Sequence, residues 1–242
     1  MSDTFTVFGL QRSGTNFLEQ LIARNIRNTK IVNRWRAGDG IWKHAFGIEN
    51  KPHDSGVIGM KGDPEKAKMI GNRIHAIYIH KHPYSWIQSI TTKHVDIKKT
   101  YPFVTNELGQ KANVLNGLNI LHLAQLYHDH TRYWLEKVET RKIYHVKYED
   151  LIFSSEKTKE IVTDIAQFFD RKLKETDIVI PDKVGQSEKF DEEKRKHYRN
   201  YQITTLSYEQ IQHINSILDR NAMAKQGYTM IETEEEYRNH KK

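Results

Sequence analysis

The chain contains no cysteine. It can form no disulfide, offers no thiol nucleophile and cannot ligate a metal through sulfur, and the absence argues against a secretory origin. No stretch approaches the ~18 consecutive apolar residues of a membrane-spanning helix, and the opening residues 1–6 contain no basic segment leading into a long apolar run. The expectation is a soluble, cytoplasmic protein without a membrane span. No internal repeat, low-complexity tract or linker divides the 242 residues, a length that suits one α/β domain and is short for two. Residues 1–231 are expected to form that domain, followed by a charged, frayed tail over 232–242.

Hydrophobic residues at 37% and aromatics at 10% suffice for a core. Lys and Arg exceed Asp and Glu by 38 to 31, a net charge of +7, which suits an anionic partner: a nucleotide, an acidic glycan or nucleic acid. Charge alone does not choose among them. No zinc-ligand spacing, helix-turn-helix signal or RNP-like aromatic motif supports nucleic-acid binding.

The most informative stretch is residues 5–26. Phe5–Phe8 is a short β-branched and aromatic run that reads as a buried strand. From Thr15 the spacing changes, and Phe17, Leu18, Leu21, Ile22 and Ile26 fall on one helical face. Between them, Gly9 to Gly14 is polar and flexible. Strand, tight loop and helix together make an anion site, because a helix N-terminus presents unpaired N–H groups and a positive dipole end. Gly14 permits close approach, Ser13, Thr15 and Asn16 add short polar groups, and Arg12 adds a fixed charge. The competing reading is an ordinary turn capped by Ser13 or Thr15. The two glycines have Walker A spacing, but Thr15 stands where an NTPase needs the Lys that reaches the β- and γ-phosphates. ATP chemistry of that kind is not expected.

Strands and helices alternate along the rest of the chain. Ile41–Phe46, Val57–Met60, Ile74–Ile79 and Lys142–Tyr148 read as strands or strand ends, with a turn at Gly62–Pro64. Helices are expected from Pro83, over Val114–Glu139, over Glu156–Phe169, and over Tyr208–Met223 as one closing helix. Asn28–Asp39 is polar and basic, Lys93–Leu108 reads as a long loop, and 170–207 is irregular. The fold class is α/β, a mainly parallel central sheet flanked by helices, with ligands at the carboxyl ends of the strands.

Two further motifs stand at strand–helix junctions. His80-Lys81-His82-Pro83 ends a strand, and Ser89 lies eight residues after Lys81 on the next helix, so cation and hydroxyl can reach one phosphate from two directions. Tyr148-Glu149-Asp150-Leu151 follows another strand, where a Tyr can stack on a base. Taken alone, Lys81 and Ser89 would be surface residues. Glu149 and Asp150 read as structural, pairing with basic neighbours or capping a helix.

Gln11-Arg12-Ser13-Gly14-Thr15-Asn16 resembles the 5′-phosphosulfate-binding loop of sulfotransferases that use 3′-phosphoadenosine 5′-phosphosulfate (PAPS). The resemblance runs from Thr6 to about Tyr228, through three ordered motifs and a closing helix that leads into Gly227-Tyr228. It implies a P-loop NTPase-like sulfotransferase fold, PAPS as cofactor with PAP (3′-phosphoadenosine 5′-phosphate) as product, and no required metal. It also implies a 3′-phosphate site at Lys81 and Ser89 and an adenine pocket at Tyr148. Lys81 departs from the family's usual Arg, which removes the fork of donors and leaves room for a fold that has lost activity.

The same resemblance makes Lys43-His44 similar to the strand end that supplies the catalytic base, with Arg12, Lys43 and His44 the catalytic candidates. His suits proton transfer near neutrality, but the chain has 13 histidines, most of which must pack or face solvent. Asp63, Glu65 and His94 are alternatives. Arg195, within the basic run Lys194–Arg199, is the candidate closing over the 3′-phosphate, although the family's glycine-rich form of that loop is absent. The acceptor, a small molecule or glycan, would be bound by Asn28–Asp39, Lys93–Lys111 and Asp182–Lys194. The basic surface favours an anionic glycan. A nucleotide kinase-like enzyme and a non-catalytic nucleic-acid-binding protein are the alternative functions.

Overall fold

The computed structural model describes residues 3–32, 43–44, 69–92, 117–181, 195–196 and 202–241. Its elements in chain order are β1 (Asp3–Phe8), α1 (Thr15–Asn25), β2 (Thr29–Ile31), β3 (Ile74–His80), α2 (Pro83–Thr92), α3 (Gly117–Thr140), β4 (Ile143–Lys147), α4 (Tyr148–Leu151), α5 (Ser155–Phe168), α6 (Tyr208–Ile217), α7 (Arg220–Lys225) and α8 (Glu234–His240). The four strands form one sheet in the order β2-β1-β3-β4, every pair parallel, with Phe5 opposite His75 and Ile77 opposite Tyr144. The α/β architecture expected from the sequence is the one observed.

The period-2 pattern of the strands decides which side chains face which helices. Phe5, Val7, Ile77, Ile79 and Val146 point to one face, where the apolar stripes of α1 (Phe17, Leu18, Leu21, Ile22) and α5 (Ile161, Val162, Ile165) cover them. Phe8, Ala76, Tyr78 and Ile143 point to the other and meet Trp134 of α3, whose ring stacks on Phe8 at 4.3 Å between centroids. Beyond α3 a helical layer closes on Trp86, Ile87, Ile90, Tyr127, Ile211, Ile214 and Met223. No helix among the described residues is long and apolar enough to cross a membrane.

Three elements differ from expectation. β2 falls inside the polar stretch 28–39; three partly exposed residues are too few to carry a period. The closing helix is two. Leu218 is extended, and the Asp219 carboxylate accepts the amides of Asn221 and Ala222 at 2.8 and 3.0 Å, so a new N-cap interrupts the apolar period. The tail is not frayed over 234–240: a Thr233–Glu236 capping box starts α8, Tyr237 Oη donates to the Leu206 carbonyl at 2.9 Å, and the Ile203 amide donates to His240 O at 2.7 Å. Of Ile41–Phe46 only Lys43 and His44 are described, in a turn. The expected features at Val57–Met60, Gly62–Pro64 and Lys93–Leu108 lie outside the described residues.

Candidate functional site

β1 lies between β2 and β3, so the chain leaves β1 toward one side of the sheet and later returns on the other. The carboxyl ends of β1 and β3 flank that switch point, where open α/β sheets bind ligands. The backbone leaving β1 is pressed against β3; a Cβ on Gly9 would collide with the Ile79 carbonyl oxygen. The loop then turns through a Ser13 N–H bond to Leu10 O at 3.1 Å, with Arg12 (φ 71°) and Gly14 (φ 90°) in left-handed conformations. Gly14 is the N-cap of α1, and no side chain caps the helix.

The amides of Phe17 and Leu18 both close on the Gly14 carbonyl. Those of Thr15 and Asn16 have no backbone acceptor among the described residues and stand at the positive end of the helix dipole. Ser13 and Thr15 are buried, while Arg12 and Asn16 are exposed. Trp86 of α2 fixes the loop from behind, its Nε1 donating to Gln11 O at 2.7 Å. Gln11 is thus held through its backbone.

At the end of β3, Lys81 is almost fully buried, at 2% exposure. Its Nζ donates to Ser89 Oγ at 2.7 Å and lies 5.2 Å from the centre of the Tyr148 ring. Burial pushes the Lys81 pKa down to about 7; Glu149 pulls it up, and the Arg12 charge pushes it further down. Arg12 and Lys81 therefore act on one region. Tyr148 opens α4 at the end of β4 and packs on Gly14. The loop, the Lys81–Ser89 pair and Tyr148, about 70 residues apart from one motif to the next by sequence number, meet at the carboxyl edge of the sheet.

Lys43 and His44 lie beside the same edge. The Gly9 amide donates to Lys43 O at 3.0 Å, and Lys43 Nζ bonds Asn16 Oδ1 and pairs with Glu19 at 3.2 Å. His44 Nδ1 is 2.8 Å from Gly9 O. A carbonyl can only accept, so Nδ1 carries the hydrogen and Nε2 the lone pair. The residue is half-buried, and desolvation lowers its pKa to about 4, leaving it neutral at pH 7. The Gly9 carbonyl opposes that shift and the Lys43 charge adds to it.

Comparison with known protein families, curated proteins and solved structures finds no match. The chemistry of the edge follows from its own residues. It has a helix N-terminus with a nearby guanidinium, a part-buried Lys81–Ser89 pair, an aromatic ring beside both, and a neutral imidazole with a defined tautomer. Such a set has the chemistry to attract anionic groups and to accept a proton. Among the described residues no group of three or more His, Asp or Glu side chains is placed to hold a metal ion.

Arg195 donates from Nη1 to the Ile152 carbonyl at 3.0 Å, just past α4. Asp63, Glu65 and His94 lie outside the described residues, as do nearly all of the segments expected to bind an acceptor. Local pattern does not reveal three contributors to the edge: Glu19, which holds Lys43; Trp86, which holds the loop; and Tyr127, which bonds the Lys81 carbonyl. Glu19 is the exception in principle, since its acidic side chain lies one helical turn from Asn16.

Proposed function

We propose that the chain is a PAPS-dependent sulfotransferase that moves a sulfuryl group to a hydroxyl or amine of a small-molecule or glycan acceptor. The observation that carries this reading is the bond from buried Lys81 to half-buried Ser89, at 2.7 Å, on the same sheet edge as the Gly9–Asn16 loop. Two anion sites bridged by an aromatic ring suit a nucleotide with phosphates at both ends of its ribose, and suit a linear triphosphate less well.

When bound, PAPS supplies a sulfuryl group activated by a phosphate leaving group. In this reading Arg12 and the amides of Thr15 and Asn16 neutralise and orient the 5′-phosphate, and Ser13 and Gly14 shape its cradle. Lys81 and Ser89 hold the 3′-phosphate, and Tyr148 offers a ring face to the base. His44 Nε2 takes the acceptor proton, with Nδ1 anchored on Gly9 O. Lys43, held by Asn16 and Glu19, places a second cation beside the loop. Transfer of this kind depends mainly on positioning and charge neutralisation.

The test is calorimetric binding of PAP, ADP and ATP without magnesium, on the wild type, Arg12→Ala and Ser89→Ala. PAP should bind at least about tenfold more tightly than ATP, and each substitution should weaken it by about tenfold or more, the scale of one charge-assisted hydrogen bond. PAP binding no tighter than ATP binding would sink the proposal.

A further inference from the structure

The peptide that joins Lys81 to His82 is gripped from both sides. Tyr127 Oη, from α3, donates to Lys81 O at 2.8 Å, and the His82 amide donates to Glu149 Oε1, on α4, at 2.8 Å. This peptide lies immediately beyond β3, where its orientation decides the direction of the Lys81 side chain. The other Glu149 oxygen accepts from Tyr228 Oη at 2.8 Å. Tyr228 belongs to the segment after α7, which is itself tied down by Lys147 Nζ bonding Gly227 O at 2.8 Å. Glu149 is 4% exposed and Lys81 is 2% exposed. A buried carboxylate with donors on both oxygens, one of them the amide that follows Lys81, is more than a helix cap.

We propose that Glu149 is a positioning residue for the anion site: it clamps the Lys81–His82 peptide and supplies the negative charge against which Lys81 stays protonated. The inference rests on the sulfotransferase reading for the ligand that Lys81 meets, on the His82 and Tyr228 hydrogen bonds for the clamp, and on the electrostatic influence of Glu149 on Lys81 for the charge.

Among the described residues, Glu149 is the group whose charge favours protonation of Lys81. Arg12, from the loop, is a like charge and opposes protonation. Ser89 of α2, Tyr148 of α4 and Tyr127 of α3 are neutral partners. His80 and His82, on the same strand end, are held neutral by burial, and Lys147 of β4 faces the Tyr228 ring at 4.7 Å. Burial pushes Glu149 up and Lys81 down, each toward its neutral form. The His82 and Tyr228 hydrogen bonds and the Lys81 charge pull Glu149 back toward the carboxylate. The Arg12 charge disfavours the protonated form of Lys81, and the Glu149 carboxylate favours it, so Glu149 offsets part of the repulsion before ligand arrives.

Glu149→Gln tests this. The amide oxygen still accepts from the His82 amide and the nitrogen faces a hydroxyl that can turn to accept, so the shape is kept and only the charge is removed. Two measurements separate the pairing from the ligand. The first is a lysine ¹³Cε NMR titration of Lys81 in the ligand-free protein. Its midpoint should fall by about one pH unit or more in Glu149→Gln, and by less in Tyr228→Phe, which removes one donor from the carboxylate. The second is PAP affinity from pH 6 to 9. In Glu149→Gln the loss at the alkaline end should exceed the loss at pH 6 by about tenfold, the equivalent of one pKa unit.

An unmoved Lys81 titration in either variant overturns the proposal, as does an affinity loss equal at every pH. Should Glu149→Gln fail to fold, Tyr228→Phe alone decides. If the wild type binds PAP at no pH, the sulfotransferase reading fails, while the titration still judges Glu149.

Discussion

The ring of Tyr148 occupies the space that a side chain on Gly14 would need. A Cβ built on Gly14 would stand 2.5 Å from Tyr148 Cδ2 and 2.6 Å from Cε2, and Gly14 has a φ of +90° that L side chains rarely adopt. A loop glycine and a strand-end tyrosine, 134 positions apart in the numbering, therefore constrain one another. Gly14→Ala carries both strain and overlap, each costing about 1–3 kcal/mol. We expect urea unfolding to show a combined loss of about 2–6 kcal/mol and PAP binding to drop below detection. An unchanged unfolding midpoint would mean that the loop is not packed as described.

The Gly9 carbonyl sets the His44 tautomer. Nitrogen-15 NMR of the ring should show a hydrogen on Nδ1, and no titration above about pH 5, in keeping with a pKa lowered to about 4 by desolvation. A midpoint near 6.5 would contradict the desolvation of the ring. In the proposed reaction, His44→Gln should leave PAP affinity within about threefold and lower transfer by about 10²–10⁴, the range of general base catalysis.

Acid should destabilise the fold through its buried histidines. His80 and His82 are each 2% exposed, and desolvation is the first cause lowering His80 well below the usual value, His82 to about 3 and His145 to about 4. The unfolded chain, with histidine pKa values near about 6.5, then binds more protons than the folded one. Stability is complete above about pH 6.5 and is lost as pH falls toward 4, at up to about 1.4 kcal/mol per pH unit for each group. Glu149, shifted upward, offsets one group's share over its own window. Urea midpoints from pH 7.5 to 4.5 measure the slope, and His145→Gln should make it shallower. A midpoint that does not change from pH 7 to 5 would refute the neutral cluster.

Asp219 makes the junction between α6 and α7. Asp219→Ala removes the acceptor of two amides and should cost about 0.5–2 kcal/mol, as other N-cap losses do. PAP affinity should stay constant, because the partners among the described residues of the Asp219 carboxylate, Asn221 and Ala222, and of its amide, His128, are not residues of the proposed site. Urea unfolding and calorimetry on one preparation check both halves.

Local sequence was enough to place the elements with strong periods. Phe5–Phe8, the Thr15 helix, Ile74–Ile79, the Pro83 helix and the Glu156–Phe169 helix all appear within a residue or two of where the spacing puts them. Runs of apolar residues at period 2 or 3.6 bury one face whatever the neighbours are. β2 is too short for that signal, and the α6–α7 break depends on a single cap competing with a continuous apolar stripe. The Thr233 capping box was present in the sequence, but α8 is held by Leu206 and Ile203, which only folding brings near.

The sequence by itself determined the α/β alternation, the strand–loop–helix at Gly9–Asn16 and the Lys81–Ser89 spacing, because these depend on neighbours within about ten residues. Tertiary structure alone decided that Tyr148 closes on Gly14, that His44 hangs from the Gly9 carbonyl, and that Glu149 grips the Lys81–His82 peptide. Those relationships join strand ends far apart in the chain. A parallel sheet brings them to one edge, and burial there turns ordinary Lys, His and Glu side chains into groups whose charge depends on one another.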